Sequence, residues 1–144
     1  MRLLYLITRA EPGGAQVHLL ELLRGFRDRA ELHLGVGEDQ DGFLVEEARA
    51  LGVRVHLLRH LVQPVRPVKD FRGLFEVMAL LRKVRPHLLH AHSSKAGFLG
   101  RLAGRALGVK SVFTAHGWAF TDGVPEGMKR LALSMERLAG RLGD

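Results

Sequence analysis

At 144 residues, 47% of them apolar, the chain is long enough for one hydrophobic core and too short for two ordinary domains. Interspersed charges exclude a disordered chain, and the lack of cysteine excludes a disulfide framework or a thiolate metal site. The net charge of +7 is uneven: residues 1–52 carry 6 basic and 9 acidic groups, residues 53–94 carry 8 and 2, and residues 95–144 carry 8 and 4, so the later part favours an anionic partner such as nucleic acid, an anionic membrane surface or a phosphorylated small molecule.

Short apolar runs alternate with longer amphipathic ones, which predicts βαβ units and a parallel sheet. The first strand is expected over residues 3–8. Its run is broken by Thr8, Arg9 and Glu11, too soon for a signal peptide or a bilayer span, so a cytoplasmic protein is expected. Glu11-Pro12-Gly13-Gly14-Ala15-Gln16 then opens a helix over 14–27. Glycines at that point leave backbone N–H groups uncovered at the positive end of a helix dipole, a setting for a phosphate; they would equally serve to turn a strand into a helix. Neither the G-x-G-x-x-G fingerprint nor a P-loop is present.

Further strands are expected over 31–36, 54–58, 87–92 and 111–115, with helices over 42–51, 70–84, 95–107 and 125–142. The segment 59–68, with Pro64 and Pro67, has the length of a mobile loop. In the fourth helix Gly97, Gly100, Gly104 and Gly108 form a small-residue stripe that lets the backbone approach a neighbour closely, and Arg101 and Arg105 argue against a membrane dimerisation motif. In the last helix Met128, Leu131, Met135, Leu138 and Leu142 recur at steps of three and four, the pattern of a packed face.

Right-handed crossovers between these strands give a Rossmann-like three-layer α/β sandwich with a mainly parallel sheet of five or more strands, ordered 3-2-1-4-5. Its ligand crevice lies beyond the carboxyl ends of the strands, which nominates the loops 9–14, 92–95 and 116–124. At the fourth strand's end, His90 and His92 share a face, Ser93 or Ser94 caps the next helix, and Lys95 brings a cation to the edge. A zinc reading of the His-x-His pair lacks a third ligand. The fifth strand runs into Thr114-Ala115-His116-Gly117 and sets another histidine at the same edge.

The motif Pro12-Gly13-Gly14-Ala15-Gln16, then His90-Ala91-His92-Ser93-Ser94-Lys95-Ala96-Gly97, then Thr114-Ala115-His116-Gly117, in this order and spacing, resembles the N-terminal domain of family-4 retaining glycosyltransferases, one lobe of a GT-B fold. The similarity runs over the whole chain, residues 1–144. It implies transfer of a sugar from a nucleotide diphosphate sugar to a glycan, lipid-linked or other acceptor, without metal or cofactor, across a cleft between two lobes. It further implies that Gly13 and Gly14 approach the donor diphosphate, that His116 lies by the transferred sugar as the catalytic residue, and that His92, Ser93 and Lys95 form the acceptor side.

In such enzymes a C-terminal lobe supplies the nucleotide pocket and the groups that neutralise the leaving diphosphate. That lobe lies outside these residues, so the isolated chain is expected to be inactive or nearly so. Asp39-Gln40-Asp41 matches a metal motif of another glycosyltransferase architecture, and Glu38 and Glu46 have the spacing of a Glu-x7-Glu pair. Both fall around a polar turn in the wrong half of the fold and read as solvated. Competing functional readings are a basic nucleic-acid-binding domain and a half-domain that assembles with a separately encoded C-terminal lobe. The basic later helices and the loop 62–68 read either as a solvated basic face or as peripheral contact with anionic lipid on the inner face of the membrane.

Overall fold

A computed structural model of the chain describes residues 1–9, 13–38, 42–62, 66–115, 127, 130, 133–134, 137–138 and 140–141. Strands and helices alternate as β1 (Arg2–Arg9), α1 (Gly14–Phe26), β2 (Glu31–Glu38), α2 (Phe43–Ala50), β3 (Arg54–Leu57), α3 (Pro67–Val84), β4 (Leu88–Ala91), α4 (Ser94–Leu107) and β5 (Lys110–Phe113). Every neighbouring pair is parallel and the sheet order is β3-β2-β1-β4-β5, as the crossover rule requires.

β1 is central because it is apolar on both faces. Positions 3–8 are all buried, the mark of a parallel strand covered on two sides. Leu3, Tyr5 and Ile7 pack with Leu19, Leu23, Leu34 and Leu44 under α1 and α2. Leu4 and Leu6 pack with Val77, Leu81, Leu89 and Leu99 under α3 and α4. Two cores on opposite faces of one sheet make the three layers.

The glycine stripe of α4 meets the sheet. A Cβ on Gly100 would stand 3.2 Å from Leu89 Cδ2 and 3.3 Å from Leu6 Cδ2, and one on Gly97 would meet the Phe113 ring at 2.7 Å. Arg101 is buried on the same side: Nε donates to the Gly97 carbonyl at 2.8 Å and the guanidinium lies 4.5 Å from the Phe113 ring centroid.

α3 begins three residues before its expected start. Pro67 suits the first helical turn, and the Asp70 carboxylate reaches back to accept the Arg66 N–H at 3.1 Å. The flank of the preceding connection is anchored: Glu76 accepts the N–H groups of Arg59 at 3.0 Å and His60 at 2.6 Å, and Leu61 is fully buried. Leu61 also rests on Gly37, where an added Cβ would fall 1.7 Å from the Leu61 carbonyl oxygen. Gly37→Ala is therefore expected to force two backbone segments apart and cost about 2–3 kcal/mol, read as a lower urea midpoint. An unchanged midpoint would show that the segment gives way freely.

The expected helix over 125–142 falls mostly outside the described residues. Positions 127, 130, 133–134, 137–138 and 140 are helical, and Leu138 is 52% exposed rather than on a packed face.

At the start of β2 and β3 two histidines and a carboxylate form a chain. His33 Nδ1 lies 2.9 Å from His56 Nε2, and His33 Nε2 lies 2.9 Å from Glu31 Oε1. Burial, followed by the charges of His33, Lys83 and Arg54, pushes the His56 imidazole below its ordinary 6.5. The unfolded chain thus takes up this proton at a higher pH than the folded one. Stability from this source is complete above the ordinary value and is lost as pH falls through the lowered folded value. The urea midpoint is expected to drop between about pH 7.5 and pH 5.5, and His56→Leu to flatten that drop. A midpoint constant across the interval would contradict it. Glu31, held low chiefly by the hydrogen bond from His33, acts in a separate window below its ordinary 4.5.

Candidate functional site

The carboxyl edge of the sheet gathers the ends of β1 and β4 and the starts of α1, α3 and α4. Gly13 and Gly14 stand exposed at the entry to α1. Neither has a positive φ; Gly13 is extended at −178°. A Cβ on Gly14 would meet nothing within 4 Å, and one on Gly13 would meet only the amide end of the Gln16 side chain, at 2.7 Å. The turn itself does not demand glycine at these positions. What glycine provides is bare backbone at the positive end of α1, open to solvent, which suits the approach of an anion. Gln16 braces this entry by donating from Nε2 to the Arg9 carbonyl at 2.9 Å.

Ser93 occupies the N-cap position of α4 but makes no side-chain cap bond. Its hydroxyl is engaged elsewhere: Oγ accepts from the Thr8 N–H at 3.3 Å and from Thr8 Oγ1 at 3.1 Å. The expected serine cap is thus replaced by a tie between the ends of β1 and β4. The α4 start is closed by backbone instead, with the Gly97 N–H on the Ser93 carbonyl at 2.6 Å.

His90 and His92 do share a face, with ring centroids 4.1 Å apart. Tyr5 of β1, paired with His90 in the sheet register, lies 5.5 Å and 5.9 Å from the two rings. Burial pushes the Tyr5 phenol above its ordinary value, which keeps it neutral in the stack. His90 Nε2 lies 2.6 Å from Thr114 Oγ1, and this bond joins β4 to the end of β5. His92 is 1% exposed, beneath His18 of α1 at 6.0 Å between centroids. The group that reaches the surface from this stack is His18, one turn beyond Gly14. The spacing of a single helical turn after the glycines was the available sequence signal for it.

Lys95 is also buried. Its Nζ pairs with the Asp70 carboxylate and donates to the Val62 carbonyl at 3.1 Å. The cation thus binds the start of α4 to the start of α3 and to the end of the 59–62 segment. Asp70 had no sequence signal as its partner, because the two stand 25 residues apart. His116 and the turn 39–41 lie outside the described residues. Among the described residues no three His, Asp or Glu groups meet in a metal-holding arrangement, and no helix is long and apolar enough to cross a membrane.

The chain matches the family described as glycosyl transferase 4-like domain over residues 13–144. It is 31% identical over 137 residues to the Escherichia coli UDP-Gal:alpha-D-GlcNAc-diphosphoundecaprenol alpha-1,3-galactosyltransferase, a match covering 88% of this chain and 35% of that protein. It is 26% identical to the E. coli O-antigen biosynthesis glycosyltransferase WbnH over 80% of this chain and 32% of the relative. The chain therefore spans about a third of the length of these relatives. Among solved structures, HepE of Anabaena in complex with UDP and glucose superposes with a TM-score of 0.71 at 21% identity, over 94% of this chain and 35% of that one. MurG of Acinetobacter baumannii gives 0.70 at 13% identity, over 99% and 39%. At these identities the likeness is one of fold. With the family match running from the first exposed glycine to the last residue, the chain belongs to the glycosyl transferase 4-like domain family and folds as one lobe of the GT-B architecture.

Proposed function

We propose that this chain is the acceptor-side lobe of a retaining glycosyltransferase that moves a sugar from a nucleotide diphosphate sugar to a lipid-linked or other glycan acceptor, on the cytoplasmic side of a membrane. The observation that carries the reading is the pair Gly13–Gly14, whose bare backbone opens to solvent at the start of α1 where no turn geometry calls for glycine. A nucleotide diphosphate sugar suits that opening, and the activity of the related E. coli galactosyltransferase supplies the donor and acceptor classes. The donor diphosphate lies over Gly13–Gly14, and His116 contacts the sugar being transferred.

On the acceptor side, Ser93 fixes the end of β4 against β1, Lys95 holds α3 against α4, and His92 supports His18. Most of the diphosphate charge is met by a donor-binding lobe that these residues do not span. Alone, the chain is inactive or nearly so.

The test is a chimera in which this chain replaces the matching third of the E. coli galactosyltransferase, assayed in detergent with UDP-galactose and a lipid-diphosphate acceptor. Transfer by the chimera, with none by the isolated chain, is the expected result. A chimera that melts cooperatively and binds UDP-galactose, yet transfers nothing while the parent enzyme is active, contradicts the reading.

A further inference from the structure

The side chains that spacing assigns to the acceptor side are largely turned into the fold: His92 is 1% exposed, Lys95 is paired with Asp70, and the Ser93 hydroxyl is engaged by Thr8. What this edge presents instead, on α1, is the neighbouring pair Val17 and His18. Both are exposed, Val17 at 50%. Three and four residues beyond Gly14, they stand on the same side of the helix as its bare backbone and about 6 Å further along the axis.

The His18 ring is held from beneath. It lies 6.0 Å from His92 between centroids, His92 lies 4.1 Å from His90, and Tyr5 lies against both of these. The base of the column is fixed in turn, because Ser93 joins β4 to β1 through Thr8 and His90 Nε2 lies 2.6 Å from Thr114 Oγ1. Such a column is not needed to seat α1, whose other side is already buried through Leu19, Leu20 and Leu23. An exposed polar ring fixed in this way loses little conformational freedom when it meets a ligand.

We infer that His18 and Val17 form the acceptor-sugar contact of the lobe, the imidazole hydrogen-bonded to a hydroxyl of that sugar and Val17 against the C–H face of its ring; the inference rests on the glycosyltransferase reading. A pyranose offers the two kinds of surface side by side, hydroxyls at its rim and C–H groups across a face, and an apolar wall with one placed polar group is what binds it. A diphosphate offers oxygen alone and leaves Val17 without a role. The depth along α1 agrees. With the donor diphosphate over Gly13–Gly14, a group one turn further into this lobe faces the acceptor, which approaches from this side of the cleft.

The experiment is titration of the 144-residue chain with N-acetylglucosaminyl diphosphate carried on a short alkyl chain, the acceptor class of the related E. coli galactosyltransferase, followed by the imidazole NMR signals. The His18 ring signals are expected to move as the ligand binds, and those of His33 and His56, at the other end of the sheet, to stay in place. His18→Leu should weaken binding about tenfold, and His18→Gln, which keeps a hydrogen-bonding group, should recover most of that loss. Val17→Ser should weaken binding about threefold. Both side chains are exposed, so melting should stay at the parent value, and Arg24→Gln near the far end of α1 should bind as the parent does. Absence of binding by the folded chain would overturn the inference, as would undiminished binding by the His18→Leu variant. So would an equal response, with the same dependence on His18, to inorganic pyrophosphate, which lacks the sugar. The readout is binding rather than transfer: a transferase chimera that is active while this chain ignores the probe leaves the transferase reading standing without this contact, and the reverse outcome leaves the contact without the transferase.

Discussion

Asp70→Asn is expected to destabilise the chain by about 3 kcal/mol, although the substitution keeps the size of the side chain and an oxygen that can still accept the Arg66 N–H. The magnitude follows from burial. An exposed ion pair contributes about 0–1 kcal/mol, whereas removing one partner of a buried pair leaves a charge uncompensated and costs about 3–5 kcal/mol. Here the side chains of Lys95 and Asp70 are 6% and 19% exposed, which places the pair toward the buried limit. After the substitution Lys95 keeps the Val62 carbonyl at 3.1 Å but loses the charge of the Asp70 carboxylate.

Lys95→Met should cost less, about 1–2 kcal/mol, because Asp70 retains the Arg66 N–H and more water. The double variant should then fall well short of the sum, since each single change removes the same interaction. Urea denaturation of the four proteins of this cycle checks it; additive effects would mean that the pair contributes no coupling. The same cycle bears on function. If Lys95 acts by holding α3 to α4, turnover in the transferase chimera should fall in step with stability. A loss of turnover much greater than that would point to direct contact with acceptor.

The second large effect should leave stability alone. Gly14→Val places its new atoms where a Cβ meets nothing within 4 Å, at a position without positive φ, so melting should be unchanged. In the transferase chimera the same side chain would stand in the space proposed for the donor diphosphate. Displacing a bound group by an ångström is enough to lower turnover about a hundredfold. His116→Ala should have a comparable effect, about a hundredfold in turnover, through lost contact with the sugar as charge develops at its anomeric carbon. Turnover and melting must be measured together. Normal turnover in the Gly14 variant would remove the diphosphate from α1, and a His116 variant that melts early but turns over normally would make that histidine structural.

The sheet and its order were legible in the sequence because their causes are local and repetitive. Six buried positions in succession on β1, amphipathic helices between the runs and a right-handed crossover leave little choice of topology. The glycine stripe of α4 likewise announced close packing, and its partner proved to be the sheet. The order and spacing of the three motifs also carried the family, since each falls at the end of a strand that periodicity alone locates.

The direction and use of the side chains at the sheet edge were decided only by the tertiary structure. Sequence placed Ser93 as a cap and Lys95 as a cation facing the crevice, on the strength of their immediate neighbours. Their partners are Thr8, 85 residues away, and Asp70, 25 residues away, and no local pattern encodes such meetings. The outer face of α3 was hidden in the same manner. Sequence predicted a helix over this segment without saying which side is covered, and the packed positions of Val77, Leu80 and Leu81 show that Phe71 and Phe75 lie on the uncovered side. Periodicity specifies that a face is apolar, but what covers it depends on every other element that competes for the same core.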